Sequence, residues 1–136
     1  MQLRCRRKNT DGLKPEAISH ISKYIKVDRN EVSLVVGNEY FPCGITIRDN
    51  HPWFYVFEDA EDDYPIPIPH FYFDIIDCKI ENSWTLATEV FASGEAFTEF
   101  VPFEWARDDA FYEKLLDEDE KCMEVMKAIK LQTQRV

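Results

Sequence analysis

A chain of 136 residues is about the length of one domain, and with 45% apolar and 14% aromatic side chains it can bury a core, which excludes a disordered tail or a coiled-coil rod. Four Gly and seven Pro exclude low-complexity and collagen-like chains. Sixteen Lys and Arg against 26 Asp and Glu give a net charge of −10, which disfavours nucleic-acid phosphate and anionic membranes and favours a basic partner. The asymmetry is internal: residues 1–57 carry nine basic and six acidic side chains, whereas residues 58–136 carry seven and twenty.

The expected organisation is one domain over 1–136, β-rich over 1–101 and helical over 102–133. Leu3 and Cys5 alternate with Gln2, Arg4 and Arg6, the period of a half-buried strand, read as a solvated edge whose cations discourage edge pairing. Asn9-Thr10-Asp11-Gly12 supplies turn chemistry. Leu13–Arg29 is ambiguous, because Ala17, Ile18, Ile21, Tyr24 and Ile25 have helical spacing while Pro15, Ile25 and Val27 weaken it. Val32–Val36 reads as a strand, followed by the turn pair Gly37-Asn38. Glu39–Arg48 reads as another, with Phe41, Cys43, Ile45 and Ile47 on one face.

Asp49-Asn50-His51-Pro52 connects to Trp53–Phe57, an apolar run on both faces that fits a central strand covered on two sides or one with an exposed aromatic face. Phe71–Ile76 and Lys79–Ala87 are expected to pair about Asp77-Cys78, and Thr88–Phe91 with Ala96–Val101 to form a hairpin at Ser93-Gly94. Beyond Pro102, the residues Phe111, Leu115, Cys122, Val125, Met126 and Ile129 form one helical stripe. Asp117-Glu118-Asp119-Glu120 interrupts it, leaving one long helix or two, with Lys127, Lys130 and Arg135 complementing the C-terminal dipole. The fold class is therefore α+β: a twisted, mostly antiparallel sheet of five or six strands, with a C-terminal helix or helix pair packed on it.

Catalytic and metal motifs are thin. Cys5, Cys43, Cys78 and Cys122 lack metal-ligand spacing and read as reduced core residues, and neither a cofactor nor a metal is expected. His20, His51 and His70 are isolated in sequence, with His51 and His70 beside proline as turn or surface residues. Gly-rich phosphate loops and the common hydrolase motifs are absent, so no catalytic residue is assigned. No apolar run reaches the length of a membrane span and no leader is evident, so the expected compartment is the cytoplasm.

The most unusual stretch is residues 58–71, where five carboxylates in six residues precede Pro65, Pro67 and Pro69. The prolines bias Tyr64, Ile66 and Ile68 toward an extended course, and such pre-ordering lowers the entropic cost of docking. Asp59, Glu61 and Asp63 alternate as oxygen donors for Ca²⁺ could, but the glycine and distal glutamate of an EF-hand loop are missing. A second acidic concentration, Asp108, Asp109, Glu113, Asp117 to Glu120 and Glu124, faces only Arg107, Lys114 and Lys121.

A small, acidic, aromatic-rich chain of this character resembles the immunity proteins of bacterial polymorphic and contact-dependent inhibition toxins. That resemblance implies a cytoplasmic inhibitor whose acidic surface covers the active site of a basic, nuclease-type toxin domain. Locally, Leu3-Arg4-Cys5, Leu34 to Tyr40 and Trp53 to Val56 resemble the strand order of small SH3-like barrels over roughly the first 80 residues. The expected function is non-enzymatic neutralisation of a basic cognate toxin. Asp59, Glu61, Asp62 and Asp63 would meet its cations, while Trp53, Tyr55 and Tyr64 would serve as aromatic anchors. The alternative is a small enzyme or ligand-binding domain with an aromatic-lined pocket, using His51, His70 and a nearby carboxylate.

Overall fold

The computed structural model describes residues 1–90 and 92–134. The chain runs β1 (Gln2–Cys5), α1 (Pro15–Ser22), β2 (Glu39–Tyr40), β3 (Gly44–Arg48), β4 (His51–Val56), β5 (Ile66–Pro69), β6 (Phe73–Asp77), β7 (Trp84–Val90), β8 (Ala96–Pro102), α2 (Phe103–Ala106), α3 (Phe111–Leu116) and α4 (Glu120–Thr133). Two antiparallel sheets form, one ordered β2-β1-β6 and the other β5-β4-β3-β8-β7. The class is α+β, as the patterning indicates, but an SH3-like barrel is not confirmed. β1 belongs to the small sheet and β3 and β4 to the large one.

β4 is the axis of the molecule. Its side chains alternate between two buried clusters, Phe54 and Val56 joining Leu3, Cys5, Ile21, Ile68 and Phe73 on one face. Tyr55 and the following Phe57 join Val101, Trp105, Phe111, Leu115, Met126 and Ile129 on the other. The continuous apolar run therefore marks a strand covered on both faces. The small sheet contributes to the first layer, and the C-terminal helices form the second. β3 carries Gly44, where a Cβ would fall 2.8 Å from a Val101 side-chain carbon and 3.2 Å from the Phe100 carbonyl, so glycine permits the close approach of β8.

Several expected strands are rearranged, each for a local reason. β1 is the middle of its sheet and not an edge. Val32–Val36 is not a strand: its N–H groups are taken elsewhere, that of Ser33 by the Glu58 carboxylate (2.7 Å) and that of Val35 by the Tyr40 hydroxyl (2.9 Å). The expected strand Glu39–Arg48 breaks around Pro42 into β2 and β3, and Cys43 and Ile45 enter different clusters. β6 pairs with β1 and β7 with β8, so the expected hairpin about Asp77-Cys78 does not form. The hairpin at Ser93-Gly94 does, as β7 and β8. Phe91 and Arg135, which were expected to belong to that hairpin and to the helix end, lie outside the described residues.

The acidic interruption separates two helices. Glu118 adopts φ 62°, which ends α3, and the Asp119 carboxylate accepts the Cys122 N–H at 3.0 Å to cap α4. Asp119→Ala is expected to lower stability by about 1 kcal/mol, read as a shift in the denaturant midpoint at unchanged slope. Three cysteines are buried as expected, whereas Cys78 is exposed. No helix among the described residues is long and apolar enough to cross a membrane.

Candidate functional site

The strand β3 and the hairpin β7–β8 form one wall of a hollow of about 750 Å³, and the α2–α3 segment forms the other. Its floor is aromatic. The rings of Tyr55 and Trp105 lie 4.6 Å apart, and Trp105 and Tyr112 stack at 5.7 Å and 13°. Seven carboxylates line it: Asp49 from the β3–β4 turn, Glu89 from β7, Glu95 and Glu99 from the second half of the hairpin, and Asp108, Asp109 and Glu113 from the helical wall. Arg48 is the one cation among the described lining residues. Its guanidinium lies over the Tyr24 and Trp53 rings, 4.7 and 4.8 Å from their centroids.

Three of these carboxylates have internal work. Asp49 accepts from the Tyr24 hydroxyl (3.0 Å) and Lys23 (3.3 Å), and those bonds, the Tyr24 one first, hold its carboxyl below the ordinary range. Asp108 accepts from Lys114 (3.0 Å) and from the Ala110 N–H (3.1 Å), with the same effect. Glu99 accepts from the Tyr55 hydroxyl at 2.6 Å, and burial followed by that neighbouring charge pushes the Tyr55 phenol far up. Glu89, Glu95, Asp109 and Glu113 make no side-chain hydrogen bond or ion pair within the described residues. They crowd negative charge into a concavity, where low-dielectric walls concentrate the field.

Beside the groove, and sharing Tyr24, Arg48 and Asp49 with its rim, all three histidines converge. His20 comes from the last turn of α1, His51 from the first position of β4, and His70 from the turn after β5. Asp49 and Asn50 both take positive φ (49° and 66°), a two-residue turn of the primed kind that sets His51 opposite Arg48. Trp53 Nε1–H donates to His20 Nε2 at 3.0 Å. An indole N–H only donates, so that nitrogen carries the lone pair and the hydrogen sits on Nδ1, 3.4 Å from the Asp49 carboxylate. His51 Nδ1 and His70 Nε2 are 2.9 Å apart, with 16° between ring planes whose centroids are 5.2 Å apart. The rings thus lie nearly end to end and share one hydrogen. His20 and His51 meet at 4.4 Å. Burial first, then the positive fields of neighbouring imidazoles, lowers the His20 and His70 values, with Asp49 opposing the shift at His20.

Of the expected anchors, Trp53 is 0% exposed and presents nothing to a partner, and Tyr55, 4% exposed, reaches only the floor of the hollow, with its hydroxyl given to Glu99. β4 is too central for its aromatics to reach the surface. Tyr64 is exposed, as are Asp59, Glu61 and Asp63. Part of the 59–63 charge is structural, because Asp62 accepts the Asp59 N–H (3.0 Å) and Asp59 accepts the Glu61 N–H (2.9 Å). Lys130 crosses from α4 to bond the Ala60 and Asp62 carbonyls. Among the described residues no group of three or more His, Cys, Asp or Glu is arranged to hold a metal ion.

His51 and His70 were expected as turn or surface residues, with only the alternative reading bringing them together beside a carboxylate; the meeting of His20 with them had no signal in sequence, since nothing links positions 20, 51 and 70 before strand pairing does. The groove's hairpin acids were missed for a like reason: Glu89 on β7, Glu95 in the connection and Glu99 on β8 are unremarkable until β7 and β8 pair. Comparison with protein-family models, with curated proteins and with solved structures finds no match to this chain.

Proposed function

We propose that this chain is a non-enzymatic binding protein that neutralises a basic partner protein, of the nuclease-toxin kind that the resemblance to immunity proteins implies. The observation that carries the reading is the groove: seven carboxylates against one guanidinium on a concave surface with an aromatic floor. Such a field attracts Lys- and Arg-rich surfaces and repels phosphate, and it raises association rates more than it lengthens residence. The engaged acids are then those of the groove, with the 59–63 loop a rim contribution.

The test is co-purification with the product of the adjacent reading frame, followed by association kinetics at about 50 and about 500 mM salt, where screening lengths differ severalfold. A stable complex whose on-rate falls steeply with salt supports the reading. An interaction indifferent to salt, or no complex, refutes it.

One observation favours a second reading, that of an acid/base catalyst: His51 is hydrogen-bonded to His70, His20 Nδ1 lies 3.4 Å from the Asp49 carboxylate, and the two pairs meet through the His20 and His51 rings. Against it, none of the three histidines lines the large groove, and His20 Nε2 is occupied by Trp53. His51→Gln and His70→Gln variants that inhibit the partner as well as wild type support binding as the function. Loss of a turnover activity with partner binding intact supports catalysis.

A further inference from the structure

Among the described residues there are four sheet edges, and three of them are protected. β5 reads Ile-Pro-Ile-Pro, so Pro67 and Pro69 offer no N–H to a neighbour. β2 is only two residues long. β6 carries Asp74 and Asp77, charges that discourage an added strand. The fourth, β7, is different: Trp-Thr-Leu-Ala-Thr-Glu-Val runs seven residues with no Pro or Gly and with Glu89, which faces the groove, as its one charge, is paired along its length to β8, and has no strand of the described residues on its other side. Alternate residues of such a strand direct their N–H and C=O groups outward.

The open edge is also the outer wall of the acidic groove. Ala87 and Glu89 point into the hollow, while Leu86 and Val90, on the opposite face, are 56% and 71% exposed. Because side chains alternate across a sheet, a strand added beside β7 would send one row over the carboxylates and the other along Leu86 and Val90. We propose that β7 is a strand-addition site for an extended segment of the basic partner in which cationic and apolar side chains alternate. This rests on the reading that the groove receives a basic protein, and it adds the form of the segment. Main-chain bonding would supply affinity, and the two side-chain rows would supply selectivity and register.

The test uses two capped synthetic peptides of identical composition, one alternating Lys and Val and one with all Lys preceding all Val. Anisotropy titration reads affinity, and hydrogen exchange by mass spectrometry reads protection of residues 84–90. The alternating peptide is expected to bind about tenfold more tightly, a few net hydrogen bonds' worth, and to slow exchange in 84–90. N-methylation of one alternate set of its amides should remove that advantage, and methylation of the other set should leave it. Equal affinity of the two peptides, undetectable binding of both, or unchanged exchange in 84–90 overturns strand addition. A triple variant, Glu95→Lys, Asp109→Lys and Glu113→Lys, separates the two claims. If both peptides bind wild type equally and both weaken on the triple variant, the groove is retained and the edge is not a site. If the triple variant binds both as wild type does, the groove reading itself fails.

Discussion

Reversal of Glu95, Asp109 and Glu113 to lysine is expected to slow association with the basic partner by about a hundredfold at low salt, within the range that electrostatic steering supplies. The carboxylates of these three line the groove without a hydrogen bond or ion pair to a described residue, and the Glu95 bond to Ser93 is made by its backbone N–H, so their replacement removes field without unfastening the fold. Glu99 and Asp108 would be poor choices, since one accepts the Tyr55 hydroxyl and the other holds Lys114 and the Ala110 N–H. Stopped-flow association across a salt series is the measurement. The variant should converge with wild type as salt rises, because screening removes what the mutation removed. Dissociation should change less, as a long-range field acts chiefly on encounter.

The same experiment on the 58–63 loop discriminates between the two acidic surfaces. Glu61→Lys with Asp63→Lys alters exposed charge and is expected to slow association by only about threefold, a rim-charge effect. Asp59 and Asp62 hold the loop's own N–H groups, so reversing them changes loop structure as well as charge. An effect of the loop pair as large as that of the groove triple would move the binding site to the β4–β5 connection.

How much of this could be read from residues alone follows from the range of the interactions involved. The hairpin at Ser93-Gly94 is a local pattern of turn residues and was legible, whereas the two-sided burial of Trp53–Phe57 and the division of the C-terminal helices at 117–120 were each one of two alternatives that local period and cap residues left open. The failures are non-local. Val32–Val36 has β-branched residues at strand spacing, but Glu58 and Tyr40, distant or out of register, claim its N–H groups. Cys43 and Ile45 share a parity in sequence yet face different cores, because Cys43 sits in the bend before β3, where the alternation of the strand has not begun. Total charge was legible and its location was not: the contiguous acids at 59–63 stand out in a one-dimensional reading, whereas a concavity assembled from positions 49, 89, 95, 99, 108, 109 and 113 leaves no run to notice.

The histidine cluster makes stability depend on pH below the ordinary imidazole value. His20 and His70 lie below the ordinary imidazole value in the folded protein, each chiefly through burial and next through the field of His51. In the unfolded chain both return to about 6.5. Between the lowered folded values and that unfolded value the unfolded state binds more protons, so stability is complete above about pH 6.5 and falls as pH decreases through the window. Stability is therefore expected to fall between about pH 7 and about pH 5. The surroundings act in both directions. Asp49 favours a charged His20, while Lys23 and His51 disfavour it, and Trp53, which donates to Nε2, would have to release that nitrogen for the ring to take a second proton. Likewise the shared hydrogen between His51 and His70 survives one charge on the pair and not two, because two N–H groups cannot point at each other. Asp11, Asp49, Asp108 and Asp119 are held below the usual carboxylate range and titrate at lower pH. Denaturant midpoints measured from about pH 7 to about pH 5, for wild type and for His20→Gln with His70→Gln, isolate the imidazoles. Glutamine can accept from Trp53 and from His51 without titrating, so the double variant is expected to be flat over this interval. A wild-type profile that is flat or rises toward acid, or a double variant with the wild-type slope, would place the lost protons elsewhere.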